Sequence, residues 1–121
     1  MSYQPTQSEL KWLNSLIKLT ATYTEAKKDL LEKELLGTHV YYLTMYGIYS
    51  MVGETCRDES KLSRAFKEHF KQVDWRGFAI RRNELIHEYD RFSPKVASVM
   101  VRELEEFKKG ITAIAQLVFK T

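Results

Sequence analysis

One cysteine, two prolines and five glycines are all that 121 residues contain of those three types. The lone Cys56 has no partner for an intramolecular disulfide and makes no zinc site by itself, which fits a reducing cytoplasm. So little proline and glycine argues against an all-β chain full of tight turns. Long hydrophobic runs are missing too. The most apolar stretch, Val40 to Val52, is too short and too rich in tyrosine to span a bilayer. Met-Ser-Tyr-Gln-Pro at the start has no basic segment followed by an apolar one, so no signal peptide is expected. Neither sign of charge dominates: 19 basic against 16 acidic residues leave a net +3. That balance permits binding to RNA without pointing to it. The histidines His39, His69 and His87 are not at ligand spacing, so no metal and no cofactor are expected.

What is present is helical patterning. With 44% apolar and 29% charged residues the composition is that of a soluble globular protein, and the length suits one domain over residues 1–121. Ser8, followed by Glu9, is the expected N-cap of a first helix carrying Leu10, Leu13, Ile17 and Thr20 on one stripe. Apolar spacing loosens through the charged stretch Glu25 to Glu34, and Gly37 marks a break. A second helix follows from Thr38 to about Thr55, with Val40, Leu43, Gly47 and Met51 on one face and Tyr42, Tyr46 and Tyr49 on another. A helix apolar on most sides is expected to be surrounded by protein, its tyrosines in the core or in a subunit interface. A short connecting helix is expected around Leu62, Phe66 and Phe70, and a third long one from about Asp74 to Tyr89. Ser93 and Pro94 make an N-cap and N1 pair for a last helix. There Met100, Leu104, Phe107, Ile111, Ile114 and Val118 recur at alternating spacings of four and three. The predicted fold class is all-α: a single-domain antiparallel bundle of four to five helices.

The helix from Asp74 to Tyr89 contains an arginine on its apolar side. At about 100° per residue, Trp75, Phe78, Ala79, Leu85, Ile86 and Tyr89 lie within about 60° of one direction, and Arg82 is at the centre of that stripe. An arginine there needs a partner or a water-filled cleft, because burying an unpaired charge costs several kcal/mol. Arg76, Asn83 and His87 lie on a second face, and Asn83 is placed at i−4 to orient the His87 imidazole. His87 is about 140° round the helix from Arg82, so one copy of the helix makes a poor catalytic site. Two copies facing each other could bring two arginines and two histidines onto one phosphate.

Arg82-Asn83-Glu84-Leu85-Ile86-His87-Glu88-Tyr89 resembles the hallmark of the HEPN superfamily. That hallmark is an arginine, four residues of which the first is usually polar, and a histidine. A tyrosine two residues beyond the histidine resembles the HepT-like toxins within the superfamily, and Tyr89 stands there. Trp75 is where such sequences commonly have a tryptophan, and Val52-Gly53-Glu54 resembles the small–acidic end of their preceding helix. Asp74 departs from a frequent proline. Arg81 makes an arginine doublet, in which only Arg82 has the right separation from His87.

The resemblance implies a HEPN-like homodimer acting as a metal-independent endoribonuclease toxin. Its site would be composite, with Arg82, Asn83 and His87 from both subunits. It also implies an MntA-like nucleotidyltransferase antitoxin that transfers AMP to Tyr89. Arg76, Arg81, Arg91 and Lys95 are candidates for contacts to the RNA backbone. Two other readings stay open: a non-catalytic nucleotide- or substrate-binding partner of a minimal nucleotidyltransferase, and a helical dimerisation module without a ligand.

Overall fold

The computed structural model of the protein describes residues 3–86 and 94–119. Every regular element among the described residues is helical: α1 (Gln7–Glu32), α2 (His39–Arg57), α3 (Arg64–His69), α4 (Trp75–Ile86) and α5 (Pro94–Phe119).

The first helix starts two residues earlier than its serine suggests. Thr6, not Ser8, is the N-cap: its hydroxyl accepts from the Glu9 amide at 3.1 Å, and the Glu9 carboxylate accepts from the Thr6 amide at 3.0 Å. Thr6-Gln7-Ser8-Glu9 is thus a reciprocal capping box, in which both orphan donors are satisfied. Glu9 does more than cap α1. It is buried, and it also accepts from the Tyr3 hydroxyl at 2.7 Å and from the Ser63 hydroxyl at 2.6 Å. Ser63 is the N-cap of α3, so one carboxylate joins the starts of two helices. Burial acts to raise its pKa, but the hydrogen bonds from Ser63, Thr6 and Tyr3 prevail and hold it below the usual carboxylate value.

The charged stretch expected to loosen stays helical as far as Glu32, because Leu30 is buried against the core. The chain then turns through two residues with positive φ, Glu34 at 57° and Gly37 at 83°. Gly37 takes the left-handed conformation without a side-chain penalty, and Thr38 caps α2 through its hydroxyl.

The second helix is central, packing against α1, α4 and α5. Tyr42 and Tyr49 are buried in the core, and Tyr46 is half-buried beside Tyr42 with ring centroids 6.3 Å apart. The expectation that protein surrounds this helix holds for one side only. Val40, Leu43 and Met51 are each more than half exposed, at 53%, 54% and 57%, and Gly47 on the same stripe has open space around its Cβ position. The three packing partners of α2 all lie on its other sides.

The last helix behaves as its spacing predicts. Met100, Leu104, Phe107, Ile111 and Ile114 are buried in one continuous core cluster with Leu13, Tyr23, Met45, Tyr49, Phe66 and Phe78. Fully burying such a side chain contributes about 1.5–3 kcal/mol. The Tyr23 hydroxyl donates to Glu105 at 2.5 Å and binds α1 to α5. Ser93, the expected cap of α5, lies outside the described residues.

Among the described residues, no helix is long and apolar enough to cross a membrane.

Candidate functional site

Asp74 sets the start of α4. Its carboxylate accepts from the Gly77 amide at 3.2 Å, so Asp74 acts as a capping side chain. From there the helix buries Trp75 and Phe78 and half-buries Ala79, Arg82 and Leu85, as the helical wheel placed them; Tyr89 of the same stripe lies outside the described residues. Trp75 is fixed by its indole N–H, which donates to the Phe70 carbonyl at 2.8 Å.

Arg82 lies on the packed side of α4 because α2 has no side chain opposite it. A Cβ on Gly53 would stand 2.3 Å from the Arg82 Cγ, 2.6 Å from its Cβ and 2.9 Å from its Cδ. The aliphatic stem of the arginine therefore runs directly over the Gly53 backbone. Beyond the stem, Nη2 is 3.5 Å from a Glu54 carboxylate oxygen and Nη1 donates to the Asn83 side-chain oxygen at 3.2 Å. Nε is buried and has no hydrogen-bond partner among the described residues. A guanidinium carries five N–H donors, so among the described residues this one is only partly engaged. Such a group retains fork-like capacity for an incoming oxyanion.

Glu54 is shared. Its other oxygen accepts from Arg57, and that hydrogen bond, followed by the charges of Arg57 and Arg82, holds its pKa below the usual carboxylate value. The carboxylate stays charged at neutral pH and holds the Arg82 head at the mouth of the α2–α4 contact. The side chain of Arg82 is 23% exposed and that of Glu54 43%, so solvent and ligand reach both.

Replacing Gly53 with alanine should destabilise the protein by about 1–2 kcal/mol. Three contacts under 3.0 Å, two of them to the near atoms Cβ and Cγ, put overpacking in the upper part of its range, about 2–3 kcal/mol, offset by about 1 kcal/mol of improved helix propensity. Urea unfolding would measure it, and the loss should shrink in an Arg82→Ala background, where Cγ and Cδ are absent. Unchanged or increased stability in the single variant would rule out the close approach.

The structure separates the candidate residues. Arg81, the other half of the doublet, is held by two carboxylates: it pairs with Glu103 on α5 and with Asp74 at 3.3 Å. Burial works against its charge, but those two partners prevail and raise its pKa above the usual arginine value. Its guanidinium also lies 5.2 Å from the Phe78 ring centre, over the ring face. Asn83 is exposed beside Arg82, and Arg76 is exposed nearly two turns earlier. Lys95 is exposed in the first turn of α5. His87, Tyr89 and Arg91 lie outside the described residues.

Two features of this region are missed by the sequence pattern. Glu54 is the charge partner that Arg82 required, and only the Gly53-Glu54 pair hinted at it. Lys67 is the other. It is buried, and its ammonium donates to the carbonyls of Thr55, Cys56 and Asp58 at 3.1, 2.8 and 2.9 Å, closing the end of α2. Burial pushes the neighbouring Cys56 thiol up to about 12, so it stays protonated at neutral pH and is no nucleophile. No group of His, Cys, Asp and Glu among the described residues is placed to hold a metal ion.

Compared with protein-family models and with solved structures, the chain matches none of either kind.

Proposed function

We propose that this protein is a HepT-like ribonuclease toxin of the HEPN superfamily, an antiparallel helical domain that works as a homodimer. The observation that carries the reading is the placement of Arg82. A glycine on the facing helix clears space for its stem, and its partly engaged head stands at an open edge beside Asn83. Its ion pair with Glu54 accounts for part of that placement, and the donors left over among the described residues are what the reading assigns to a phosphate.

In this reading the 2′-oxygen of a ribose attacks the adjacent phosphorus and the bond from phosphorus to the 5′-oxygen breaks. His87 takes the 2′-OH proton, and the partner's His87 gives one to the leaving 5′-oxygen. Arg82 holds the charge that develops on the non-bridging oxygens. Asn83 accepts from Arg82 and is close enough in sequence to orient His87. The products are a 2′,3′-cyclic phosphate and a 5′-hydroxyl. An MntA-like antitoxin would silence the site by placing AMP on Tyr89, which adds negative charge where substrate phosphate must bind. In this reading the protein works in the cytoplasm, beside its antitoxin and its RNA substrate.

Inducing the wild type and His87→Ala separately, in cells without an antitoxin, tests the proposal. The expected result is arrested growth with degraded RNA for the wild type and harmless expression for the variant. Equal, harmless accumulation of both proteins would overturn the nuclease reading in favour of a non-catalytic partner.

A further inference from the structure

A groove of about 950 Å³ opens where the end of α2, α3 and the start of α4 meet. That is at the upper end of the size range of ligand clefts. Its cationic lining is Arg57, Arg64, Lys67, Lys71 and Arg76, against the acidic residues Glu59, Glu68 and Asp74. The pairing inside this set is uneven. Arg64 is neutralised by Glu59 at 3.1 Å, Arg57 pairs with Glu54, and Asp74 pairs with Arg81. Lys71 and Arg76 are exposed and make no ion pair among the described residues; the exposed Glu68 makes none either. The unpaired lining is therefore positive on balance, two lysines and one arginine against one carboxylate.

Lys67 beneath them decides the sign. Its ammonium is buried, all three donors go to main-chain carbonyls, and no carboxylate among the described residues lies within ion-pair distance. Carbonyl dipoles satisfy its hydrogen bonds, and the more distant carboxylates of Glu59 and Asp58 offset its unit charge only in part. In a cleft with low-dielectric walls such a charge attracts anions more strongly than one in open water. Trp75, Val73 and Ala79 supply the apolar part of the wall.

The groove also has a direction. Arg76 and Ala79 line it, and Asn83 lies four residues beyond Ala79 on the same flank of α4. From Arg76 to Asn83 the helix rises about 10 Å, at about 1.5 Å per residue. A chain of phosphates seated in the groove would therefore be led along α4 toward Asn83 and Arg82.

We propose that this groove binds the phosphodiester backbone of a single RNA strand, through Lys71 and Arg76 at its rim and the buried charge of Lys67 in its floor. The strand's path toward Arg82 rests on the nuclease reading; the binding itself does not. Interactions of this kind position a strand and carry no sequence preference.

A fluorescein-labelled 12-mer of 2′-O-methyl RNA tests it, because the strand lacks the 2′-hydroxyl nucleophile and is not cut. Fluorescence anisotropy would compare the wild type, Lys71→Glu/Arg76→Glu, and Lys18→Glu/Lys28→Glu, two exposed lysines of α1 that do not line the groove. The expected result is binding weakened about tenfold or more by the groove pair alone. The salt slope should fall by about 1.4, or about 0.7 for each phosphate no longer neutralised. Equal losses from both pairs, no loss from the groove pair, or no binding by the wild type would each overturn the proposal. The growth test with His87→Ala is read separately. A harmless wild type whose groove pair weakens binding sinks the nuclease reading alone. A toxic wild type whose groove pair binds normally sinks the groove alone.

Discussion

On the proposed nuclease reading, replacing Arg82 with alanine should lower RNA cleavage by about 10²–10³-fold, the loss typical of one oxyanion-stabilising group. The fold should be little affected. Arg82 gives up one ion pair at 3.5 Å and one hydrogen bond to an exposed amide, while Glu54 keeps its pairing with Arg57. Partly exposed pairs of this kind contribute at most about 1 kcal/mol. Arg81→Ala should do the opposite. Its removal strands the Glu103 carboxylate, whose side chain is only 13% exposed, and should cost about 1–3 kcal/mol of stability while leaving cleavage per folded molecule nearly unchanged. Arg82→Lys keeps the charge but loses the planar fork, and should recover less than about a tenth of the activity. Urea unfolding and initial rates on one labelled RNA give both quantities for each variant. A doublet in which both alanine variants lose the same activity would remove the distinction and, with it, the assignment of Arg82.

The sequence made Arg82 conspicuous because a charge on an apolar stripe violates helical patterning at one position. It left the reason hidden. The need for glycine at position 53 arises from the approach of two helices that are far apart in the chain, and no local spacing encodes that distance. The four-and-three recurrence of α5 was legible because α1 and α2 together cover the stripe along its length, with α4 closing over Phe107. On α2 the same kind of pattern gave half an answer: Val40, Leu43 and Met51 are as apolar as Met45 and Val52, and only the placement of α1, α4 and α5 decides which set is covered. The cap of α1 falls two residues from Ser8 because serine and threonine both cap well, and the choice goes to the one with an acidic residue three places on. Lys67 left no trace at all, since its partners are main-chain carbonyls that every residue possesses.

The exposed stripe of α2 leads to the second large effect. If the proposed homodimer forms through this stripe, Leu43→Glu should convert it into a monomer and lower the proposed cleavage by about 10²-fold or more at protein concentrations where the wild type is dimeric. The residues at positions 40, 43, 47 and 51 follow one face of the helix, and Glu54 continues the same line. The stripe therefore ends at the Arg82 ion pair. Gly47 in its middle, with open space where a Cβ would stand, lets a second helix approach closely. In a two-fold arrangement the same patch meets itself, so the stripe would pack on its copy and bring both Arg82 heads to one seam. A glutamate at position 43 is half exposed in the single chain and costs its fold little, but across a two-fold axis it confronts its own image. Sedimentation equilibrium and cleavage rates at matched concentration measure the two losses together. Leu43→Lys should fail alone in the same way, and mixing the lysine and glutamate variants should restore both the dimer and the activity through opposite charges at the seam. A monomeric Leu43→Glu protein with full activity would show that one chain holds a complete site. A fully dimeric one would move the interface elsewhere on the surface.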